Sequence, residues 1–357
     1  MISQPNPNRR GFLRDAAFAT ATAASLGSSE VRRSITDVGN IRVGHFTDTR
    51  RPTGCTVVLF DKGAVAGVDV RGAAPGTRET DLLQPVNTVQ KVNAIVLSGG
   101  SAYGLDTATG VMRYLEENGQ GFRIGNIVVP IVPAAILFDL FVGDPKIRPD
   151  ASAGYAACQA ASKSTVPEGN VGAGAGATVG KFFGLKSAMK GGLGNSSIRV
   201  GDTDLVVGAI VAVNAAGDIL NPKTGKIIAG ALTPDCNAFR DSMAQLAAGA
   251  LIEKNGVGAN SSIGIIATNA ALTKTEMTKV AQMAHDGLAR TINPIHTAAD
   301  GDTIFAAATG TARTKADSLT IGAVAAEVMA EAVGRAMFTA TSIPGYKAQR
   351  DLPANLR

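Results

Sequence analysis

The chain has 357 residues, 45% of them apolar, so it can bury a core as one large domain or two small ones. Tryptophan is absent, aromatic residues reach only 4%, and the formal net charge of +5 includes no block of lysines and arginines, which argues against nucleic-acid binding. The cysteines Cys55, Cys158 and Cys236 form no Cys-x-x-Cys pair, so neither a zinc site nor a disulfide framework is indicated.

Residues 1–29 have the order of a twin-arginine export signal. Arg9 and Arg10 precede a Gly-Phe-Leu sequence, and a weakly apolar stretch of alanines and threonines follows at residues 16–27. That stretch is too short and too polar to span a bilayer, so no membrane association is expected after export. We expect a periplasmic or extracellular protein, with a cytoplasmic location and a disordered basic tail as the alternative.

From Ile35 onward short apolar strands alternate with alanine-rich helical stretches without a long linker, which predicts one compact α/β unit. The β-rich runs 56–60 and 64–70 predict two strands, with Asp61-Lys62-Gly63 as the hairpin turn between them. Further strands are predicted at residues 93–97, 127–132, 197–200, 205–213, 261–268 and 303–307, and helices at residues 102–117, 274–290 and 318–337.

A glycine-bearing loop at residues 254–259 leads to Asn260 and Ser261, where an apolar strand is predicted to begin. A hydroxyl at the head of a strand can attack its own preceding carbonyl, move the acyl group from nitrogen to oxygen, and release the chain by ester hydrolysis. The product carries an α-amino group with a reference pKa of about 7.7 to 8.0, which can act as the base for its own Oγ. We therefore consider cleavage between Asn260 and Ser261, although an Asn-Ser pair alone is typical of an ordinary turn.

The sequence Asp300-Gly301-Asp302 stands just before a predicted strand. Residues two apart in an extended chain face the same way, so both carboxylates can hold and orient the Ser261 ammonium and pass protons. The glycine permits close backbone approach. A plain turn, a fragment of a calcium loop or a solvated corner is the alternative for this motif on its own.

Several segments together carry a family resemblance: Thr53-Gly54-Cys55-Thr56-Val57-Val58, Asp69-Val70-Arg71-Gly72, Leu97-Ser98-Gly99-Gly100-Ser101-Ala102-Tyr103-Gly104-Leu105, Asn260-Ser261-Ser262-Ile263 and Asp300-Gly301-Asp302-Thr303. They resemble the autoprocessing N-terminal-nucleophile amidohydrolases, which include D-aminopeptidase/L-aminopeptidase-esterase enzymes, β-peptidyl aminopeptidases and nylon-oligomer (6-aminohexanoate oligomer) hydrolases. The resemblance extends from about Ile35 to the last helix and is closest, in its site residues, to the nylon-oligomer hydrolase branch.

The resemblance implies an α/β fold, a layered αββα sandwich of two mixed sheets flanked by helices. It also implies an α chain, residues 30–260, and a β chain, residues 261–357, that stay associated after cleavage. Ser261 matches the family nucleophile, and Asp300 and Asp302 match carboxylate-bearing positions beside it. Asn214 falls where the family places an amide that stabilises the oxyanion, and Lys181 where the branch has an active-site lysine. Without the resemblance, Asn214 is a turn residue and Lys181 a surface charge.

The chain departs from the family pattern at two positions. Phe138 stands where relatives place a tyrosine near the site, and Ile136 where strict aminopeptidases place a glutamate that grips the free amine of the substrate. Phe138 and Tyr103 are expected to contact the substrate. The apolar Ile136 puts strict aminopeptidase specificity in doubt and leaves room for endo-type cleavage of amides.

The remaining motifs do not indicate a nucleotide site, a zinc site or a serine-histidine triad. The glycine segment 172–177 fits a relaxed dinucleotide fingerprint but follows no strong strand, so tight backbone packing is the better interpretation. His45, His285 and His296 form no His-Glu-x-x-His motif, and no Gly-x-Ser-x-Gly elbow accompanies them. We interpret His285 as structural and His296, four residues before Asp300, as a loop-packing residue, with a place lining the site as the alternative.

We therefore expect a self-cleaving hydrolase of short peptides or of β- or ω-amino-acid amides such as 6-aminohexanoate oligomers. We expect no cofactor and no metal, and a homo-oligomer of αβ heterodimers. One alternative is an acyltransferase of the ornithine-acetyltransferase type, because Thr268-Asn269 ends the nucleophile strand. The other is an exported relative that has lost its catalytic activity.

Overall fold

The computed structural model describes residues 34–252 and 260–357. The predicted export signal and the predicted loop at residues 254–259 lie outside the described residues. The strands are β1 (Ile41–Thr47), β2 (Gly54–Val70), β3 (Thr77–Arg78), β4 (Lys91–Ser98), β5 (Phe122–Ile124), β6 (Ile127–Val129), β7 (Ala134–Ile136), β8 (Thr178–Val179), β9 (Met189–Lys190), β10 (Gly192–Arg199), β11 (Val206–Val213), β12 (Asp218–Leu220), β13 (Ile227–Ala229), β14 (Ile263–Thr268), β15 (Ile292–Asn293) and β16 (Thr303–Ala308). The α-helices are α1 (Thr107–Glu117), α2 (Ala151–Gln159), α3 (Ser242–Ala247), α4 (Lys274–Ala289) and α5 (Ser318–Thr339).

Three apolar cores divide the chain into four layers. The central core lies between the two halves of the main sheet and joins side chains of β2 and β4, such as Phe60 and Leu97, to those of β14 and β16, such as Ile265 and Phe305. Helices α4 and α5 cover the outer face of one half, and α1 and α2 cover the outer face of the other. Alternate residues of each strand face opposite cores, as the period of two requires. The predicted αββα sandwich is confirmed.

The two halves of the sandwich are continuous through β2. The main sheet has the order β10-β11-β14-β16-β2-β4-β7-β3, and β1 also pairs with β2. The first part of β2 pairs with β1 and β4, and its last part pairs with β16, with a register shift between Leu59 and Ala64. The hairpin turn predicted at Asp61-Lys62-Gly63 is therefore wrong. Gly63, at φ +69°, instead lies in a β-bulge within β2. The strand continues past the bulge because it pairs with neighbouring strands on both of its edges.

Three other predicted elements differ in extent. The strand predicted at residues 197–200 is the end of the longer strand β10 (Gly192–Arg199). The predicted helix 102–117 divides into a 3₁₀ segment, Ser101–Asp106, and helix α1. The strand predicted at residues 127–132 ends at Val129 in a short hairpin with β5. No helix in residues 34–252 or 260–357 combines the length and the apolar character needed to cross a membrane.

Strand β14 lies inside the main sheet and is paired along both edges. It runs antiparallel to β11, with Ile263 opposite Ala212, and parallel to β16, with Ile263 opposite Thr303. This register brings the residues just before β14 between the end of β11 and the residues just before β16. Those positions hold most of the side chains that the sequence singled out.

Candidate active site

Ser261 lies two residues before β14 with its hydroxyl against the preceding peptide bond. Its Oγ donates a hydrogen bond of 2.5 Å to the carbonyl oxygen of Asn260. Asn260 and Ser261 are each only 2% exposed. The hydroxyl and the carbonyl therefore meet in a site from which bulk water is largely excluded.

The backbone around Ser261 is held from both neighbouring strands. On one side, Ser261 N donates to the carbonyl oxygen of Asn214 at 2.9 Å, just beyond β11. On the other side, Gly301 N donates to the carbonyl oxygen of Asn260 at 2.8 Å. Asn260 also bridges Asp300 in the parallel sense, so the pairing of β14 with β16 extends back to the Asn260–Ser261 bond.

Gly301 is required by the space around it. A Cβ at this position would lie 2.6 Å from Ser261 Oγ and 2.5 Å from the carbonyl oxygen of Ala74. Contacts below 3 Å are essentially never tolerated by a real side chain, so any other residue would displace the hydroxyl or the loop that holds Ala74. Gly72 is similarly restricted, because a Cβ there would lie 2.4 Å from the carbonyl oxygen of Asp300.

Asn214 and Lys181 form a buried polar pair beside Ser261. Lys181 Nζ donates to Asn214 Oδ1 at 2.8 Å and approaches the carbonyl oxygen of Asn214 at 3.4 Å. Asn214 Nδ2 donates to the carbonyl oxygen of Phe138 at 3.1 Å, and Thr178 N donates to Asn214 Oδ1 at 3.0 Å. Asn214 is fully buried and Lys181 is 7% exposed, so a surface lysine and a solvent-facing turn asparagine are both wrong.

The two carboxylates have different partners. Asp302 Oδ1 accepts a hydrogen bond of 2.7 Å from Ser262 N, the backbone amide that follows Ser261. Asp300 Oδ2 accepts from Thr297 N at 2.8 Å and from Thr297 Oγ1 at 2.6 Å. The sequence-based interpretation placed both carboxylates at the ammonium that cleavage before Ser261 would free. In this structure, where Asn260 and Ser261 are joined, Asp302 holds the amide of Ser262.

Burial sets the protonation of this cluster. It lowers the pKa of Lys181 to about 7, against the opposing influence of the Asp300 and Asp302 charges. Burial, and then the charge of Asp302, raises the pKa of Asp300. A lysine that titrates near neutral pH and a carboxyl that retains its proton more readily can both exchange protons with a reacting group.

The two expected substrate contacts differ in their position. The backbone of Phe138 joins the cluster through the Asn214 amide, and the Phe138 ring packs 4.8 Å from the ring of Phe141. Tyr103 is 60% exposed, with the guanidinium of Arg148 lying 3.6 Å over its ring. No hydrogen bond or ring contact among the described residues connects Tyr103 to Ser261, so the structure does not bring it to the cluster.

Sequence reasoning favoured a loop-packing role for His296, but the structure supports the alternative, a place in the site. His296 Nδ1 hydrogen-bonds Asp302 Oδ2 at 2.9 Å, and its backbone N donates to the same oxygen at 3.2 Å. Its position four residues before Asp300 was the available signal, but that spacing does not separate a site histidine from a packing one. The described residues contain no group of three His, Cys, Asp or Glu side chains placed to hold a metal ion.

Comparisons with known proteins identify the family of this chain. The profile of Peptidase family S58 matches residues 33–351. An uncharacterized aminopeptidase of Mycobacterium leprae is 43% identical over 340 residues, covering 87% of this chain and 92% of that protein. A 6-aminohexanoate-oligomer endohydrolase of Kocuria sp. is 30% identical over 332 residues, covering 89% of each chain.

Solved structures show a similar fold. An L-aminopeptidase D-Ala-esterase/amidase of Ochrobactrum anthropi, described as a variant of the Ntn hydrolase fold, superposes with a TM-score of 0.65 at 18% identity, covering 88% of this chain and 89% of that one. A β-aminopeptidase of Burkholderia sp. gives a TM-score of 0.63 at 22% identity, covering 86% and 87% of the two chains. At these identities the likeness establishes the fold.

The buried Lys181 predicts a specific pH dependence of stability. Its pKa rises from about 7 in the folded chain to its ordinary value of 10.5 on unfolding. The unfolded chain therefore binds more protons between these pH values, and the free energy of unfolding rises with pH across that window. The substitution Lys181→Met removes this contribution. The free energy of unfolding should therefore rise with pH more steeply in the chain with Lys181 than in the variant, by on the order of 1 kcal/mol per pH unit.

The measurement is urea unfolding between pH 7 and 10 of full-length chains that also carry Ser261→Ala, which excludes the self-cleavage that the sequence predicts. Lys186→Met is the matched control, because Lys186 is exposed. Parallel trends for the Lys181 and Lys186 variants would contradict the assignment of Lys181 as a buried, neutral-range amine.

Proposed function

Because the chain belongs to peptidase family S58, it is an amide hydrolase, and we propose that it becomes active by cutting itself between Asn260 and Ser261. The cut would give an α chain ending at Asn260 and a β chain beginning at Ser261. Strand β14 is paired along both edges, so the two fragments remain part of one sandwich. The observation that carries this proposal is the 2.5 Å hydrogen bond from Ser261 Oγ to the Asn260 carbonyl.

The cleavage chemistry uses atoms that are already in contact. Ser261 Oγ loses its proton and bonds to the carbonyl carbon of Asn260, and negative charge develops on the carbonyl oxygen. Gly301 N points at that oxygen from 2.8 Å and stabilises the oxyanion. The C–N bond then breaks as a proton reaches Ser261 N, and water hydrolyses the resulting ester to leave an Asn260 carboxylate and a free Ser261 amine.

Lys181 is the nearest candidate to carry these protons. The carbonyl oxygen of Asn214 lies 3.4 Å from Lys181 Nζ and accepts a hydrogen bond of 2.9 Å from Ser261 N. The lysine therefore lies near the nitrogen that must be protonated. With a pKa of about 7, the amine is available in both protonation states at neutral pH. Asp300, whose pKa is raised by burial and by Asp302, supplies a second proton-holding group.

Hydrolysis of a substrate repeats the same chemistry with a new acyl group. The Asn260 carbonyl marks the position that a substrate carbonyl takes once the α chain terminus has moved away. The freed α-amine of Ser261 acts as the local base, and Ser261 Oγ forms the acyl-enzyme. Gly301 N donates to the oxyanion, and the proposed second donor is the side-chain amide of Asn214, which in this structure donates to the Phe138 carbonyl. Water then releases the acid.

We propose short peptides and β- or ω-amino-acid amides, including 6-aminohexanoate oligomers, as the substrate class. Relatives named as an aminopeptidase and as a 6-aminohexanoate-oligomer endohydrolase support this range. Ile136 is an apolar side chain, 6% exposed, where strict aminopeptidases of the resembling family place a glutamate. This favours endo-type cleavage, which does not need a free amine beside the scissile bond.

Export and assembly are further proposals. The order of residues 1–29 supports twin-arginine export, and we propose a periplasmic or extracellular enzyme. We also propose a homo-oligomer of αβ heterodimers. Retention of a tagged full-length chain in the cytoplasm, or elution of the cut protein as a single αβ unit, would remove the respective proposal.

Ser261→Ala tests the proposed function. Without Oγ no ester forms, so the variant should remain one chain on a denaturing gel and hydrolyse no amide. Ser262→Ala is the matched control, because the neighbouring Ser262 hydroxyl is buried and makes no hydrogen bond among the described residues. The control should cut itself and hydrolyse substrate within about tenfold of wild type. An active, uncut Ser261→Ala chain would contradict the proposal.

Gly301→Ala tests the geometry without removing a reactive group. The added methyl group would lie 2.6 Å from Ser261 Oγ, so the hydroxyl or the Gly301 amide must shift. We expect self-cleavage to slow by roughly 100-fold or more, the size seen when one oxyanion donor is lost. Gly334→Ala is the control, because its Cβ meets nothing closer than 3.8 Å and its backbone is helical. Equal cleavage rates for the two variants would refute the role of Gly301.

A substrate panel separates the proposed hydrolase from its rivals. The cut wild-type protein should release amines from 6-aminohexanoate oligomers or β-peptides without an added acceptor, including oligomers whose terminal amine is acetylated. A dependence on an amine acceptor would indicate an acyltransferase instead. A cut protein that turns over no amide of the panel would indicate a non-catalytic relative.

A further inference from the structure

Asp300 and Asp302, the two buried aspartates of the site, are called the acid pair below. His296 contacts Asp302 from the loop between β15 and β16. Its side chain is 16% exposed, and its Nδ1 lies 2.9 Å from Asp302 Oδ2. Its backbone adopts φ +57°, a left-handed conformation that turns both its ring and its amide toward the same carboxylate oxygen. Two donors from one residue therefore fix Oδ2, while Ser262 N occupies Oδ1 at 2.7 Å.

The partners of the histidines define their tautomers. A carboxylate oxygen accepts, so His296 must carry its proton on Nδ1. Behind it, the ring of His285 packs edge-to-face at 4.7 Å, and His285 Nε2 donates to the carbonyl oxygen of Asp69 at 3.1 Å. Burial lowers the pKa of His285 to about 4, so this second ring is neutral at neutral pH. His296 is therefore the histidine that interacts with Asp302.

The two carboxylates of the acid pair differ in their hydrogen-bond partners. Two neighbouring carboxylates in a buried site cannot both ionise freely, and one of them retains its proton to higher pH. Asp300 accepts from two donors of Thr297, both at Oδ2, whereas Asp302 accepts from two donors of His296 at Oδ2 and from the amide of Ser262 at Oδ1. Hydrogen bonds donated to a carboxylate favour its charged form, and Asp302 has the larger number of them, on both oxygens.

Resting on the function proposed above, we propose that His296 is a positioning residue: its two donors hold Asp302 Oδ2, favour the charged carboxylate and so aim Oδ1 at Ser262 N. His296 touches no reacting atom and acts through Asp302. Its effect reaches Ser261 because Ser262 N, fixed by Asp302, is the amide of the next residue. The titratable or charged groups around it are Asp300, Asp302, Lys181 and His285, with Asp69 and Arg71 behind His285.

Two replacements separate the hydrogen bond from the ring. In His296→Asn, Nδ2 takes the place of Nδ1 and can still donate to Asp302. In His296→Gly that donor is lost, and both residues accept a positive φ readily. The acid limb of the pH–rate profile for self-cleavage should move up by about one pH unit in His296→Gly and stay within about 0.3 unit of wild type in His296→Asn.

His45→Ala is the control for lost stability alone. His45 Nδ1 hydrogen-bonds Thr56 Oγ1 at 2.9 Å in another part of the molecule, so this variant loses a histidine contact without touching the acid pair. Its melting temperature should fall while its acid limb stays in place. An acid limb that moves equally in the asparagine and glycine variants, or in neither, would overturn the role assigned to His296.

A second measurement does not depend on catalysis. In full-length chains carrying Ser261→Ala, the carboxyl carbon-13 resonance of Asp302, identified by its loss in Asp302→Asn, reports the titration of that group directly. Its midpoint should rise by about one pH unit with His296→Gly and return toward the parent value with His296→Asn. An unchanged midpoint in both would contradict the inference. A wild-type chain that never cuts itself would refute the proposed function and leave this titration decisive for His296.

Discussion

The contact between Ser261 Oγ and the Asn260 carbonyl depends on the pairing of three strands. β11 holds the amide of Ser261 through Asn214, and the segment before β16 holds the carbonyl of Asn260 through Gly301. The parallel register of β14 with β16 makes both contacts possible at once, since it places residue 260 opposite residue 300. A one-residue slip would turn Ser261 to the opposite face of the sheet and separate the hydroxyl from its carbonyl.

The site also contains buried charged groups, whose placement the strand register alone does not explain. A lysine and two aspartates are buried within one cluster, which costs stability unless each group is hydrogen-bonded. A shifted pKa does not by itself identify a site, because burial also lowers the pKa of Lys190 to about 7. Lys190 Nζ donates to three backbone carbonyls, those of Gly174, Ala177 and Gly191, and so stabilises a glycine-rich turn. Lys181 differs because its amine shares the Asn214 carbonyl with Ser261 N and interacts with the charges of Asp300 and Asp302.

The sequence predicted the layered fold and most of its strands, because apolar alternation and the family motifs agree along the chain. It also predicted the residues Ser261, Asn214, Lys181, Asp300 and Asp302 that the structure brings together. The hairpin at residues 61–63 was wrong because a local turn signal cannot show that both halves of a strand have partners in the sheet. Tyr103 shares a motif with buried residues, yet its side chain faces outward, which the motif does not reveal.

Other features of the site depend on long-range contacts that no local pattern encodes. The amide of Gly301 reaches the carbonyl oxygen of Asn260 only through its register with that residue, and His296 joins the site only through a left-handed backbone turn. The partner of Asp302, the amide of Ser262 and not Ser261 itself, likewise follows from the parallel pairing. Such details require the assembled sheet.

In the function proposed above, hydrolysis requires a hydroxyl and a free α-amine on the same residue. This can be measured by following freshly made precursor over time and comparing, in each sample, amide hydrolysis with the fraction of chains that intact-mass spectrometry finds cut before Ser261. Activity should be proportional to the cut fraction and zero when that fraction is zero. Full activity in a sample whose chains are all uncut would contradict this requirement.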